Sequence, residues 1–484
     1  MFPFRTLTAL ALALCAGVVT AQNPAYNQPF RPQVHYSPQR NWTNDPNGLV
    51  FFRGEYHLFY QYNPFGDEWG HMSWGHAVSR DLIHWHELPV AIPEQDGISI
   101  FTGSVVVDRH NTSGFCTGIA DGCLVAIYTA ANLKADRQRQ DIAFSRDAGR
   151  TWTKFSGNPV LDLNMADFRD PSVQWDAERK HWLMAVSLPK QRIVRFYTSS
   201  DLKAWTRLSE FGPAGDVDGD WECPDLLQIP SANGGPGTWA LKVGLNPGAL
   251  QGGSGEQYFL GNFDGTRFTT SPGTHGWTNY GKDDYCAISF NDLPPHQKPI
   301  LIGWMSNWQY AAKLPTSPWR GQMSLPRRLS YVDDSIGPAL QQEPVLTAGA
   351  FTAIPKAAVP APFQLKLVFP ETQQQSAGVK LYSDETHYTE VGFDPAAKVF
   401  YIDRTHSGEN IAAEFPARTQ APLASKRPMD LTLIIDRSSV EAFAQNGTIA
   451  MTNLIFPVSN TLRIEVFPAA AAKRSSYRKL PSIW

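Results

Sequence analysis

A short polar turn recurs along the first part of the chain, each time directly behind an apolar stretch. SRDLIHW begins at Ser79, SRDAGRTW at Ser145, SSDLKAW at Ser199, and a degenerate copy, NFDGTRF, at Asn262. The copies start about 60 residues apart, and each sets an aromatic residue after a Ser/Asp turn. Between them lie short strand-like runs such as EYHLFYQY, CLVAIYTA, HWLMAVSL, TWALKVGL and ILIGWMS, punctuated by Gly, Pro, Asn and Asp. No long segment with a 3.6-residue apolar period interrupts them. A unit of this length accommodates a four-stranded sheet with the recurring turn at its outer hairpin. Residues 30–335 then hold about five units, and a ring of such sheets leaves no long open edge. The expected fold class is all-β: a five-bladed β-propeller, with a plain sandwich as the bland alternative. Residues 336–362 are rich in Ala and Pro and read as a linker. Residues 363–484 return to alternating strands and predict a β-sandwich domain.

Charge and composition narrow the function. The chain has 42 Lys+Arg against 45 Asp+Glu, and a net charge of −3 gives no footprint for nucleic acid. Arg5 followed by the apolar run LTALALALCAGVV reads as a secretory leader over residues 1–21, with cutting after Ala21. The run is too short to span a bilayer, and no later segment reaches the ~18 apolar residues a span needs. The expected location is secreted or periplasmic. Cys15 would leave with the leader. Cys116 and Cys123 flank a Gly/Asp turn and suit a short-loop disulfide, whereas Cys223 and Cys286 read as free thiols.

Three carboxylates stand apart from ordinary surface charge. Asp45 lies in WTNDPNG, Asp170 in DFRDP beside Arg169, and Glu222 in DWECP between Trp221 and Cys223. Each adjoins a strand start and an aromatic residue. In a propeller the innermost strands converge on the axis, so acids from different blades can meet. Acids gathered with an arginine and aromatics suit sugar hydrolysis: one attacks, one protonates the leaving oxygen, one orients the ring. Taken singly, each reads equally well as a turn cap or a salt bridge. His71, His76, His84 and His86 match no zinc spacing, and Asp216, Asp218 and Asp220 supply only half of a calcium loop, so no metal site is expected. No phosphate loop, dinucleotide glycine string or GxSxG elbow is present, and no cofactor is implied.

WTNDPNG, QYNP at Gln61–Pro64, WGHAVS at Trp74–Ser79, FTGS at Phe101–Ser104, FRDP at Phe168–Pro171, WECP at Trp221–Pro224 and WMSNW at Trp304–Trp308 stand in one order along the chain. In that order they resemble glycoside hydrolase family 32, the β-fructofuranosidases. DRSSVEAFAQNG at Asp436–Gly447 matches the family's sandwich signature, so the likeness spans nearly the whole chain after the leader. GGSGEQYFLGNFDG and SNWQYAAKLPTSPWR bring it nearest to the levanase and exo-inulinase groups. Two positions depart from the pattern: Thr43, where Met is common, and Cys286, where Ala is usual. The latter is expected to be without catalytic consequence.

The resemblance implies a retaining hydrolase acting on terminal β-fructose of levan, inulin or sucrose. It makes Asp45 the nucleophile, Glu222 the acid/base, and Asp170 the stabiliser of the transition state, with Arg169 paired beside Asp170. It implies a fructose pocket built from Trp42, Asn44, Gln61, Trp69, Phe101, Thr102, Arg169 and Trp304. A fructosyltransferase and a non-catalytic fructan-binding protein are the alternatives. Fructan or sucrose is the only partner implied.

Overall fold

The computed structural model describes residues 26–334, 337–469 and 471–484. The segment 1–21 and Cys15 lie outside the described residues. Five sheets follow one another along the chain, antiparallel except where Trp319–Arg320 pairs in parallel with the start of the first. The first holds Asn41–Phe52, Glu55–Tyr62, Ser73–Ser79 and Trp85–Ile92; the second begins with Ser99–Asp108, the third with Arg169–Asp176, the fourth with Asp220–Ile229 and the fifth with Tyr285–Ser289. The first strand of each sheet packs against the first strand of the next, and that of the fifth returns to that of the first. This closed circuit makes a five-bladed propeller.

The blades are held by apolar wedges between neighbouring sheets. Val50, Trp74, Val105 and Leu124 fill the wedge between the first and second. Ile127, Val173 and Met184 fill the next, and Phe196, Trp221 and Leu241 the one after. Leu260 with Leu301, and Leu58 with Ile300, complete the circuit. Because both faces of most blades are covered, the strands are apolar on both sides rather than alternating.

The recurring turn sits between the third and fourth strands of blades one to four. In each copy the Asp carboxylate accepts backbone N–H bonds from residues two to four positions onward. Asp81 takes Ile83 and His84, Asp201 takes Lys203 and Ala204, and Asp264 takes Thr266 and Arg267; Asp147 takes Thr151. The indole N–H groups of Trp152 and Trp205 close their turns by donating to the carbonyls of Gly149 and Leu202. These are Asx turns, and they explain why Asp and Trp recur.

The expected linker differs from what forms. Gly337–Pro344 pairs along its length with Arg327–Asp334 as the outer strand of the fifth blade. Its Leu340 and Gln342 alternate into the buried face, which the Ala/Pro-rich composition downstream had obscured. The C-terminal region is a sandwich of a six-stranded sheet and a five-stranded sheet, with Phe363, Leu365, Val379, Phe393 and Leu433 in its core. It is fastened to the propeller by buried charge. Asp436 accepts the backbone N–H groups of Gln33 and Val34, and His35 bridges Asp436 at 2.8 Å and Glu441 at 2.9 Å. Arg404 of the sandwich reaches Asp283 of the propeller at 2.6 Å.

Candidate active site

All five innermost strands break register at the same level. The shifts fall between Thr43 and Pro46, Ile100 and Gly103, Arg169 and Ser172, Glu222 and Asp225, and Tyr285 and Ile288. A bulge re-aims the side chains beside it. Here each bulge sends a polar side chain toward the axis: Asp45, Thr102, Asp170, Glu222 and Tyr285 line one pocket. Pro171 and Pro224 sit inside two of the bulges, where a missing N–H costs no ladder bond, and Pro46 closes a third. Gly48 belongs to a second irregularity of the same strand, between Asn47 and Val50. Its φ is +53°, and a Cβ there would lie 2.6 Å from Val105 and 3.0 Å from Phe59.

The three acids that sequence singled out therefore converge. Thr102 Oγ1 donates to Asp45 Oδ2 at 2.9 Å, while Asp45 Oδ1 is buried without a partner. Burial, reinforced by the charge of Glu222, pushes the Asp45 carboxyl up to about 6. Asp170 is anchored by the backbone N–H of Cys223, which donates to its Oδ2 at 2.9 Å. Burial raises it to about 7; Arg169 opposes the rise and Glu222 adds to it. Its backbone φ of +66° is left-handed, a conformation that Asp adopts more readily than most residues other than Gly.

Arg169 differs from expectation. Its Nε donates to Glu222 Oε1 at 2.9 Å and its Nη1 to Asp167 Oδ1 at 2.7 Å, so it pairs with the opposite acid rather than with Asp170. The left-handed turn at Asp170 separates the two neighbouring side chains. Tyr285, missed in the sequence, donates its hydroxyl to Glu222 Oε2. Burial and then the charge of Glu222 hold the Tyr285 hydroxyl well above its ordinary range, so it stays a donor. Sequence held a signal for it, since Tyr285 precedes Cys286 in the strand that opens the fifth blade.

Of the expected pocket residues, Asn44, Gln61, Trp69, Phe101, Thr102 and Arg169 line the cavity. Trp69 is 44% exposed at the rim and meets Phe101 edge to face. Trp42 and Trp304 do not line it. Both are buried behind the wall, packed on each other and on Trp308, which takes the lining position instead. Trp42 still acts on the pocket, because its indole N–H donates to Asn44 Oδ1 at 2.7 Å. Gln138, Asp167, Leu133 and Asn246 complete the lining and were not foreseen.

The cysteines require one correction. Cys116–Cys123 is a disulfide, but Cys223 and Cys286 are not free: they are bonded to each other. They lie 63 residues apart on different blades, and ring closure brings their Cα atoms to 5.3 Å. The histidines find separate partners. His76 meets His57, His84 meets Asp81, and His71 meets Glu94.

Two family models match the chain: glycosyl hydrolases family 32 N-terminal domain over residues 35–344, and glycosyl hydrolases family 32 C terminal over residues 341–480. A levanase of Bacillus subtilis is 40% identical over 98% of this chain and 74% of its own. An extracellular exo-inulinase of Aspergillus awamori is 37% identical over 98% and 99%. A crystal structure of exo-inulinase from Aspergillus awamori superposes with a TM-score of 0.87 at 36% identity, covering 95% of this chain and all of that one. A β-fructofuranosidase from Schwanniomyces occidentalis complexed with fructosyl-erythritol gives 0.85 at 30% identity, covering 96% and 99%.

Proposed function

The chain belongs to glycosyl hydrolase family 32, and from that premise we propose that it is an exported, retaining exo-fructosidase. It removes terminal β-D-fructofuranose from levan and inulin, and from sucrose. One observation carries this reading: acids from three different blades, Asp45, Asp170 and Glu222, meet in one pocket with an arginine and a tyrosine aimed at the third.

Asp45 attacks the anomeric C2 of fructose as the bond from C2 to the leaving oxygen breaks. Glu222 gives that oxygen its proton. Water then attacks C2, Glu222 takes the water's proton back, and Asp45 departs. Retention by this double displacement sets the two carboxyl groups about 5–5.5 Å apart around a bound sugar.

The proton must be on Glu222 and off Asp45 when substrate is bound. Burial raises both Asp45 and Asp170. Sugar hydroxyls donating to Asp170 favour its ionised form and release a proton within the cluster. Arg169 and Tyr285 fix the orientation of Glu222 while it alternates between acid and base. Trp69 and Phe101 offer apolar faces at the mouth, where the second sugar of a chain would lie.

Export is supported by the relatives named extracellular and by two disulfides among the described residues, which suit an oxidising compartment. The test is a product profile on levan, inulin and sucrose. Free fructose as the first and growing product from each supports exo-hydrolysis. Oligosaccharides that lengthen with time would replace it with transfer, and no release at all would reject it.

A further inference from the structure

The disulfide lies where it can act on the chemistry. Cys223 follows Glu222 directly, and Cys286 follows Tyr285 directly. Both cysteines are buried, and both have left-handed backbones, with φ of +47° and +49°. Each belongs to the bulge that sends its neighbour into the pocket. The two bulges sit on different sheets, and no strand ladder joins those sheets at this level. A left-handed residue other than glycine persists only where its surroundings hold it. Here a covalent bond supplies that hold.

The same bond touches the other two acids. The N–H of Cys223 anchors Asp170, and a carboxylate oxygen of Asp45 lies within 4.8 Å of both sulfurs. Behind the cystine a second axial cavity begins, lined by Asp170, Cys223, Asp225 and Asn291. Asp170 lines both that cavity and the pocket, and Cys223, which holds it, lines the cavity.

We propose that the Cys223–Cys286 disulfide is a positioning element of the reaction, clamping the two bulges that aim the Glu222 carboxyl and the Tyr285 hydroxyl at each other. It rests on the acid/base reading of Glu222 given above. A disulfide serving stability alone would lower the melting temperature when lost and leave the chemistry unchanged.

The experiment compares wild type, Cys286→Ala, the Cys223→Ala/Cys286→Ala pair and Glu222→Gln on inulin and on an aryl β-fructofuranoside with a good leaving group. For folded Cys286→Ala, kcat on inulin should fall by about 10- to 100-fold, the scale expected for a group displaced by ~1 Å. KM should stay within about twofold, since the remaining fructose contacts are untouched. The loss should be much smaller on the aryl substrate, which needs little protonation, and the pH profile of kcat/KM should move. Unchanged kcat and pH profile beside a lowered melting temperature would overturn the proposal. If wild type releases no fructose, the functional reading fails and takes the proposal with it. If wild type is active and Cys286→Ala behaves as wild type, only the proposal fails.

Should neither cysteine variant fold, wild type is treated with a water-soluble phosphine. The phosphine takes oxygen from water and the disulfide becomes two thiols. Cys116→Ser/Cys123→Ser serves as the control for the other bond, with unchanged kcat. A reversible loss of kcat on reduction, restored by reoxidation, supports the clamp. Full activity with both thiols mapped as free rejects it.

Discussion

At the scale of single residues, three carboxyl groups of similar chemistry are separated by what surrounds them. Asp45 keeps one buried oxygen unbonded, Asp170 is held by a backbone N–H, and Glu222 accepts from Arg169 and Tyr285. As the proposed nucleophile, Asp45 must be ionised to attack. With its carboxyl raised to about 6, kcat/KM of the free enzyme should fall as pH drops through about 6. Glu222 contributes to that rise by charge repulsion. In Glu222→Gln the repulsion is gone, so on an activated substrate the acid limb should move to lower pH. A limb that stays in place would show that the wrong group has been assigned to it. The acids themselves were legible in the sequence, because each sits in a string of Pro, aromatic and polar residues unlike a surface turn. Their partners were not. Whether Arg169 bonds Asp170 or Glu222 depends on a left-handed backbone at Asp170, which no local pattern announces. The same holds for Cys223 and Cys286, which become neighbours only through the ring.

At the scale of elements, the blade rhythm was written in the Asx turns, whereas the bulges were not read: three carry an Asp-Pro or Cys-Pro step, and those at Thr102 and Tyr285 carry no proline. The fifth blade was harder to read. Its outer strand, Gly337–Pro344, contains two prolines and gains its order from pairing with Arg327–Asp334. The fourth and fifth blades also share a buried charge. Lys242 Nζ lies 3.2 Å from Glu256 Oε1 and donates to the carbonyl of Ala287 in the fifth blade at 2.5 Å, with both charged side chains fully buried. Removing the cation leaves a buried acid without its partner. Lys242→Met should cost about 3–5 kcal/mol in denaturant unfolding. A loss under about 1 kcal/mol would mean that the pair contributes little to joining the blades.

At the scale of the whole molecule, the sandwich is bound to the propeller through His35. Burial alone would lower the pKa of this imidazole, but its hydrogen bonds to Asp436 and Glu441 prevail and raise it to about 9. A raised folded-state pKa stabilises fully below the unfolded value of about 6.5, and the gain is lost as pH rises through about 9. The gain is on the order of 3 kcal/mol from a shift of this size. The stability difference between wild type and His35→Gln should therefore be large at pH 6 and shrink by pH 10. A difference that does not change with pH would remove the charge from this interface. The ring that carries the sandwich also makes the central claim possible, since only its closure brings Asp45 and Glu222 into one pocket. The most direct measurement is the mass of Glu222→Gln quenched during turnover of an activated β-fructofuranoside. Attack by Asp45 proceeds without an acid there, while release lacks its base, so one fructosyl unit should accumulate on the peptide that contains Asp45. A fructosyl unit on any other residue, or turnover with no adduct from a variant that has lost Glu222, would contradict it.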